Sequence, residues 1–305
     1  MNSIERNLLK QIADIEKTPQ GAYNLRENGK KAERKTTANI DIVSKKDKEG
    51  IDIFIKENTK NESVHIPVIL TQSGIKDLVY NDFYVGKNAD VVIVAGCGIH
   101  NSSCDTSEHD GIHRFFLEEG AKVKYIEKHY GEGDGTGKRI LNPVTEIHLK
   151  AGAVLEMETV QIKGVDSTIR TTKGELDKDA TLIIKEKIMT HGDQIAKTEF
   201  EVNLNGENSS TNVISRSVAK DNSKQEFISR VYGNNACFGH VECDAIIMDK
   251  GEVSSLPQVT AKNIDASLTH EAAIGKIAGE QLIKLMSLGL TESEAEEQII
   301  NGFLK

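Results

Sequence analysis

A turn-and-strand unit recurs through the middle of the chain and restricts the fold more than any other feature. Val85-Gly86-Lys87-Asn88-Ala89-Asp90-Val91-Val92-Ile93 has the pattern of Leu117-Glu118-Glu119-Gly120-Ala121-Lys122-Val123-Lys124-Tyr125. Two further copies are Leu149-Lys150-Ala151-Gly152-Ala153-Val154-Leu155-Glu156-Met157 and Leu176-Asp177-Lys178-Asp179-Ala180-Thr181-Leu182-Ile183-Ile184. Each opens on an apolar residue, turns through a polar stretch with Gly, Asn or Asp, and sets an alanine before an alternating strand. Ala89, Ala121, Ala153 and Ala180 stand 32, 32 and 27 residues apart. One such unit cannot bury its apolar face alone, whereas stacked copies can; this is the logic of a solenoid. The Gly, Asn or Asp supplies a backbone position that tolerates positive φ. Ile40-Asp41-Ile42-Val43 and Ile51-Asp52-Ile53-Phe54-Ile55 alternate as strands do. Residues 40–265 therefore read as a β-solenoid with several strands per unit. The competing fold is an antiparallel sandwich. Asn205-Gly206 and Asp134-Gly135 do occur, but without the close, regular spacing that hairpin turns would give.

The two ends have helical rather than strand periodicity. Ile4, Leu8, Leu9, Ile12 and Ile15 predict an amphipathic helix over 3–16. Residues 26–37 are densely charged and read as a surface connection. Near the C-terminus, Gln281 to Leu288 reads as a short helix stopped by Gly289. Thr291-Glu292-Ser293-Glu294 is a capping box that starts a second helix, whose apolar face is Ala295, Ile299, Ile300 and Phe303. That face either packs on its own domain or belongs to a docking surface; the sequence leaves both open.

Composition excludes several function classes. The 305 residues carry a net charge of -9, with Lys and Arg dispersed. A sequence-independent nucleic-acid binder needs a basic footprint instead. No apolar run approaches the ~20 residues of a membrane span. Met1 to Arg6 lacks the start of a signal peptide, so a cytoplasmic protein is expected. There Cys97, Cys104, Cys237 and Cys243 would be free thiols or metal ligands rather than disulfides.

Three clusters hold ligand-type side chains. Cys97, His100, Cys104, His109 and His113 fall within seventeen residues, a density suited to zinc or iron. They could equally be polar turn residues of a solenoid unit, since no complete finger motif is present. Cys237-Phe238-Gly239-His240-Val241-Glu242-Cys243-Asp244 is the second cluster. In a strand, Val241, Cys243, Ala245 and Ile247 would share a buried face, making Cys243 a core thiol unless a nearby base such as His240 or His270 generates thiolate. His270-Glu271 is the third, an imidazole and a carboxylate at one point on the chain; Glu271 at a helix N-terminus would be the plain structural alternative. The glycine-rich stretch Gly131 to Gly137 lacks the Gly-Lys-Ser/Thr ending of a phosphate loop, and no Gly-x-Ser-x-Gly elbow occurs. Glu156 and Glu158 lie two apart on a strand and would suit a β-helix enzyme acting on sugars. The absence of Trp and the scarcity of aromatic residues give that reading little else.

Several segments together resemble the SufB/SufD family of iron–sulfur cluster assembly scaffolds, particularly its short single-type members. They are Gly21 to Gly29, Gly111-Ile112-His113-Arg114-Phe115, Glu127-Lys128-His129-Tyr130-Gly131, Gly239 to Asp244, and the tail from Pro257 to Phe303. The resemblance implies a right-handed parallel β-helix over 39–268, after an N-terminal helical segment, 1–38, and before a C-terminal helical region, 269–305. It implies a non-enzymatic scaffold that carries a transient iron–sulfur cluster and passes it to acceptor apoproteins. It implies a homodimer whose C-terminal helices, through Leu282, Leu285, Met286, Ile299, Ile300 and Phe303, dock a SufC-like ABC ATPase. By position, His270, Glu271 and Cys243 match cluster-site residues. Where longer members carry a further cysteine this chain has Gly251, so sulfur would arrive elsewhere, at Cys243 or Cys97. A docking partner without its own cluster is the alternative within the family.

Overall fold

The structure, a computed structural model, describes residues 2–15 and 19–305. In chain order the first elements are α1 (Ser3–Ala13), β1 (Ala22–Glu27), β2 (Lys30–Lys35), β3 (Ile40–Ser44), β4 (Gly50–Ile55), β5 (Lys60–Leu70), β6 (Lys76–Val85) and β7 (Asp90–His100). Next come β8 (Ser107–Leu117), β9 (Lys122–Glu132), β10 (Arg139–Leu141), β11 (Val144–Leu149), β12 (Val154–Lys163), β13 (Ser167–Leu176), β14 (Thr181–Thr190) and β15 (Ile195–Leu204). The chain closes with β16 (Ser209–Ala219), β17 (Lys224–Gly233), β18 (Cys237–Ile247), β19 (Glu252–Ala261), β20 (Ala266–Gly275), α2 (Gly279–Ser287) and α3 (Glu292–Phe303).

The strands form two facing sheets, and the chain passes from one to the other in every coil. One sheet runs β2-β1-β5-β7-β9-β12-β14-β16-β18-β20. The other runs β19-β17-β15-β13-β10-β8-β6-β4-β3, with β11 also between β13 and β8. Successive coils pair in parallel, as β7 with β9 and β16 with β18. Two antiparallel hairpins, β1–β2 and β3–β4, start the stack. The result is a β-solenoid of about eight turns, the fold expected from the repeat.

The repeat's turn residues build the corners as their chemistry dictates. Asn88, Gly120, Gly152 and Asp179 have φ of 54, 66, 66 and 56°, the left-handed region open to Gly and tolerated by Asn and Asp. The alanine after each is fully buried. Its N–H donates back to the carbonyl three residues earlier, as Ala121 to Glu118 and Ala153 to Lys150. Adjacent corners bond to one another too: Asn88 N–H donates to Glu119 and Gly120 N–H to Ala151. The inward faces then pack as one core that includes stacked Phe83 and Phe115, with Tyr125 edge-on to Phe115.

Both ends depart from the sequence reading. Helix α1 has its capping box at Asn2 and Glu5 and stops at Ala13, because Asp14 takes a left-handed conformation, φ 52°; residue 16 of the expected helix lies outside the described residues. Leu8 and Ile12 pack over Gly96 and Gly98, where a side chain would collide with them. Residues 26–37 are not a surface connection: they hold the end of β1 and all of β2. The strand is hard to see because five of its six side chains are exposed, so it has no alternation. At the other end β structure continues to Gly275, so His270 and Glu271 lie in mid-strand and not at a helix start. The reason is that Ala266, Leu268, His270 and Ala272 stack on the inward row of β18. Helix α3 docks Ile300 against Val218, whereas α2 buries no residue. Among the described residues no helix is long and apolar enough to cross a membrane.

Candidate functional site

The last coil separates the residues that the sequence placed together. In β18 the side chains of Cys237, Gly239, Val241, Cys243 and Ala245 point inward. Ile247 is only half-buried. Register puts His270 beside Val241, and Ala272 beside Cys243. Successive strand residues face opposite ways, so His270 stands on the inner face diagonal to Cys243 while Glu271 is on the outer face beside Glu242. On that outer face His240 Nδ1 lies 2.9 Å from Thr269 Oγ1, and Glu242 lies 3.9 Å from both His240 and Arg216. The adjacent His-Glu pair therefore does not form one two-ligand site within a chain.

His270 has an unusual environment. Both ring nitrogens are screened from solvent, yet neither has a hydrogen-bond partner among the described residues. Buried polar atoms are almost always paired, so an imidazole left without partners has two open ligand positions. Burial, with His240 nearby, lowers its pKa, which favours the neutral, metal-ligating form. Cys243 is buried, and burial pushes its thiol up to about 11; a metal would have to displace the proton. Gly251 leaves no room for a side chain, since a Cβ there would lie 2.5 Å from the Ala219 carbonyl oxygen.

The first cluster divides as well. Cys97, His109 and His113 converge on a cavity of about 20 Å³, joined by Glu127 and His129. That volume holds about one water. The two further residues come from the next coil, where His129 pairs with Cys97 and Glu127 with Ala95. Cys104 stays exposed on its loop. His100 faces outward, 3.5 Å from Glu132. Burial pushes His113 down to about 4 and, with Asp77 and Glu127, raises the Cys97 thiol well above its usual value. His109 Nδ1 lies 3.1 Å from Asp77, which Arg26 also holds at 2.7 Å.

A seam of buried polar groups connects the two regions. Asn81 contacts His113 at 3.4 Å, His113 contacts the Tyr125 hydroxyl at 2.7 Å, and that hydroxyl donates to Glu127 at 3.0 Å. Arg170, reaching across from the other sheet, donates to Glu127 and lies 3.5 Å from Glu186. Glu186 accepts from Ser215 at 2.8 Å and Thr198 at 3.1 Å. Burial alone would raise Glu127, but Arg170 and His129 outweigh it and hold it well below the usual carboxylate range. Glu186 goes the other way, because burial exceeds what Arg170 and its hydroxyl partners return. Register makes Glu127, Thr159, Glu186, Ser215 and Cys243 one inward row. With about 4.8 Å between strands, five strand steps separate Cys97 and Cys243 by about 24 Å, so the two thiols do not share a site. Among the described residues, no three His, Cys, Asp or Glu side chains are close enough to hold a metal ion.

The remaining candidates are on the surface. In α2, Leu282 and Leu285 are half-buried, while Met286, Ile283 and Leu288 are exposed. In α3, Ile300 is buried and Phe303 packs beside it, both used within the chain, and Ile299 is half-buried. Glu156 and Glu158 are paired with Lys185 and Lys187 at 2.9 and 3.5 Å, a charge ladder rather than a catalytic pair in a groove.

Comparison with known proteins points to a family. The family profile described as SUF system FeS cluster assembly, SufBD core domain, matches residues 112–231 and 176–303. The chain is 28% identical over 269 residues to an iron–sulfur cluster assembly SufBD family protein of Methanocaldococcus jannaschii, covering 86% of this chain and 84% of that one. It is 30% identical over 257 residues to one from Pyrococcus horikoshii, covering 83% and 77%. A relative from Archaeoglobus fulgidus is 28% identical over 266 residues, covering 85% and 70%.

Proposed function

The chain belongs to the SufBD family of iron–sulfur cluster assembly proteins, and from that premise we propose that it is a cytoplasmic, non-enzymatic scaffold that builds clusters as a homodimer. The carrying observation is the partnerless His270 imidazole, inward-facing near Cys243 at the open end of the solenoid. One chain offers an imidazole and a thiol on the inner face and the Glu271 carboxylate on the outer. A second copy meeting the same end would bring a second set, and two-fold symmetry lets opposite faces converge. Iron and sulfide are the cargo here, and mixed N, O and S donors would hold them less firmly than the four thiolates of a resident cluster. The exposed apolar side chains of α2 would dock a SufC-like ATPase, whose ATP hydrolysis could open the dimer and release the cluster to an apoprotein.

The test is anaerobic reconstitution with iron and sulfide, assaying iron and acid-labile sulfide per chain. Wild type should bind both, and His270→Ala and Glu271→Ala should lose most of each while remaining folded. Undiminished loading of His270→Ala would refute the site. Burial of Cys243, with its raised thiol, favours a second reading in which the chain docks the ATPase and holds no cluster. Wild type that takes up no sulfide with the ATPase present would establish that one.

A further inference from the structure

The N-terminal end of the solenoid holds a pocket of different character. It lies between the β1–β2 and β3–β4 hairpins, with a volume of about 210 Å³. Among the described residues, five cationic side chains line it, Arg26, Lys31, Arg34, Lys45 and Lys48, against the single acid Glu49. This occurs in a chain of net charge -9.

Two of the five cations are neutralised within the fold. Arg26 is paired with Asp77 at 2.7 Å and Glu49 at 3.3 Å; Lys45 is paired with Asp52 and Asp82. The other three are not. Among the described residues Lys31 makes no ion pair, and Lys48 only rests over the Tyr80 ring, 4.2 Å from its centroid. Arg34 gives Nε to Asn24 at 2.9 Å and one terminal nitrogen to the Ile42 carbonyl at 3.3 Å. Among the described residues the other terminal nitrogen is uncommitted. Burial outweighs the nearby Asp41 and lowers the Arg34 pKa, the response of a partly desolvated cation without a full counter-charge. In the floor, Asn24 and Asn81 are more than nine-tenths buried. Yet no hydrogen bond among the described residues uses Asn24 Nδ2 or Asn81 Oδ1. Ile51, Ile66, Val68 and Val79 complete the floor.

We propose that this pocket binds a small tetrahedral dianion, inorganic phosphate or the phosphate of a small ester, through Lys31, Lys48 and the free edge of Arg34. Asn24 Nδ2 would donate from below. Three cations without an ion pair of their own match a dianion better than a single carboxylate. Two ammonium groups and a guanidinium edge are the donors that recognise phosphate. The partly enclosed setting strengthens each contact relative to open water. The site is at the opposite end of the stack from Cys243 and does not rest on the cluster reading.

Titration of the purified full chain with inorganic phosphate and with glycerol phosphate, against potassium chloride of equal ionic strength, tests it. Calorimetry and thermal melting provide the readouts. Saturable binding with a raised Tm is expected. The Lys31→Gln/Lys48→Gln double variant should bind about tenfold or more weakly, since two charge-assisted contacts are lost. Lys30→Gln, outside the lining, should bind as wild type does. Tighter binding of the ester would show that the apolar floor takes its body; equal affinity would identify the inorganic ion. Among the described residues neither replaced lysine has an ion-pair partner, so an unchanged melt without phosphate should show the double variant to be folded. No saturable binding up to about 10 mM, beyond the weakest specific affinities, or undiminished binding by that variant, would overturn the proposal.

Discussion

At the scale of single residues, the buried histidine and thiols make the clearest claims. His113 lies at the heart of the seam, with burial holding its pKa at about 4. Its folded pKa is below its unfolded value near 6.5, so the unfolded chain takes up a proton that the folded chain refuses. Stability should therefore fall as pH drops from about 6.5 to about 4, by roughly 3 kcal/mol for the full gap. Glu127 has the same sign in a lower window: its depressed pKa gives stability above about 4.5 that is lost in stronger acid. His113→Gln keeps a neutral hydrogen-bonding group, so urea titrations should show a flatter pH dependence between 6.5 and 4. An unchanged slope would mean that another group titrates there. The thiols order themselves similarly. Cys104 is exposed while Cys97, Cys237 and Cys243 are buried, and burial raises the pKa of each of the three. Iodoacetamide at pH 8 should label Cys104 first and reach the others only on unfolding, which mass spectrometry would read directly.

At the scale of elements, the corners explain what the sequence could reveal. Each corner needs a left-handed residue before a buried alanine, and few residue types satisfy that; the repeat is legible for this reason. Asp179, at φ 56°, shows the cost of ignoring it. Asp179→Val should destabilise by about 1–2 kcal/mol, and Asp179→Gly should be near neutral, as urea midpoints would show. Equal losses in both would point to the Asn208 contact with Asp179 at 3.1 Å instead of the backbone. The β1–β2 hairpin escaped detection because an edge strand of lysines needs no alternation. The candidate site was legible only in part. Cys97, His109 and His113 are near one another in sequence, but Glu127 and His129 reach them from one coil later. The repeat itself held the signal, because 97 and 129 differ by the same 32 residues that separate Ala89 from Ala121. Arg170 follows no such offset: it crosses from the facing sheet, and only three-dimensional stacking brings it to Glu127. Arg170→Met should cost about 3–5 kcal/mol, since it leaves two buried carboxyls without their cation.

At the scale of the whole molecule, the two ends of the solenoid are unlike. The β1–β2 and β3–β4 hairpins close the N-terminal end, while α1 lies on the outer face over β5, β7 and β9; among the described residues no strand stacks on the last coil. Val259 and Ile274 face inward by register, paired with Val231 and Ala245. They remain 46 and 39% exposed because no further coil covers them. The backbone edges of β19 and β20 are also unpaired in the sheet order, a feature that natural proteins seldom leave open without a use. Apolar side chains beside free strand edges favour pairing with another β surface, and a second copy of the same end provides one with two-fold symmetry. His270 and Cys243 lie within that end, so dimerisation and cluster loading should depend on the same surface. Light scattering of wild type should give a dimer at micromolar concentration. Val259→Lys/Ile274→Lys would bury two unpaired charges in such an interface, costing several kcal/mol, and should shift the protein to monomer. Both positions are surface-exposed in the single chain, so its melting should change little. The monomeric variant should also lose most of its acid-labile sulfide although His270, Glu271 and Cys243 are intact. A variant that stays dimeric would move the interface elsewhere, to the exposed face of α2. A monomer that loads iron and sulfide like wild type would show that one chain suffices, and the two-copy site would be wrong.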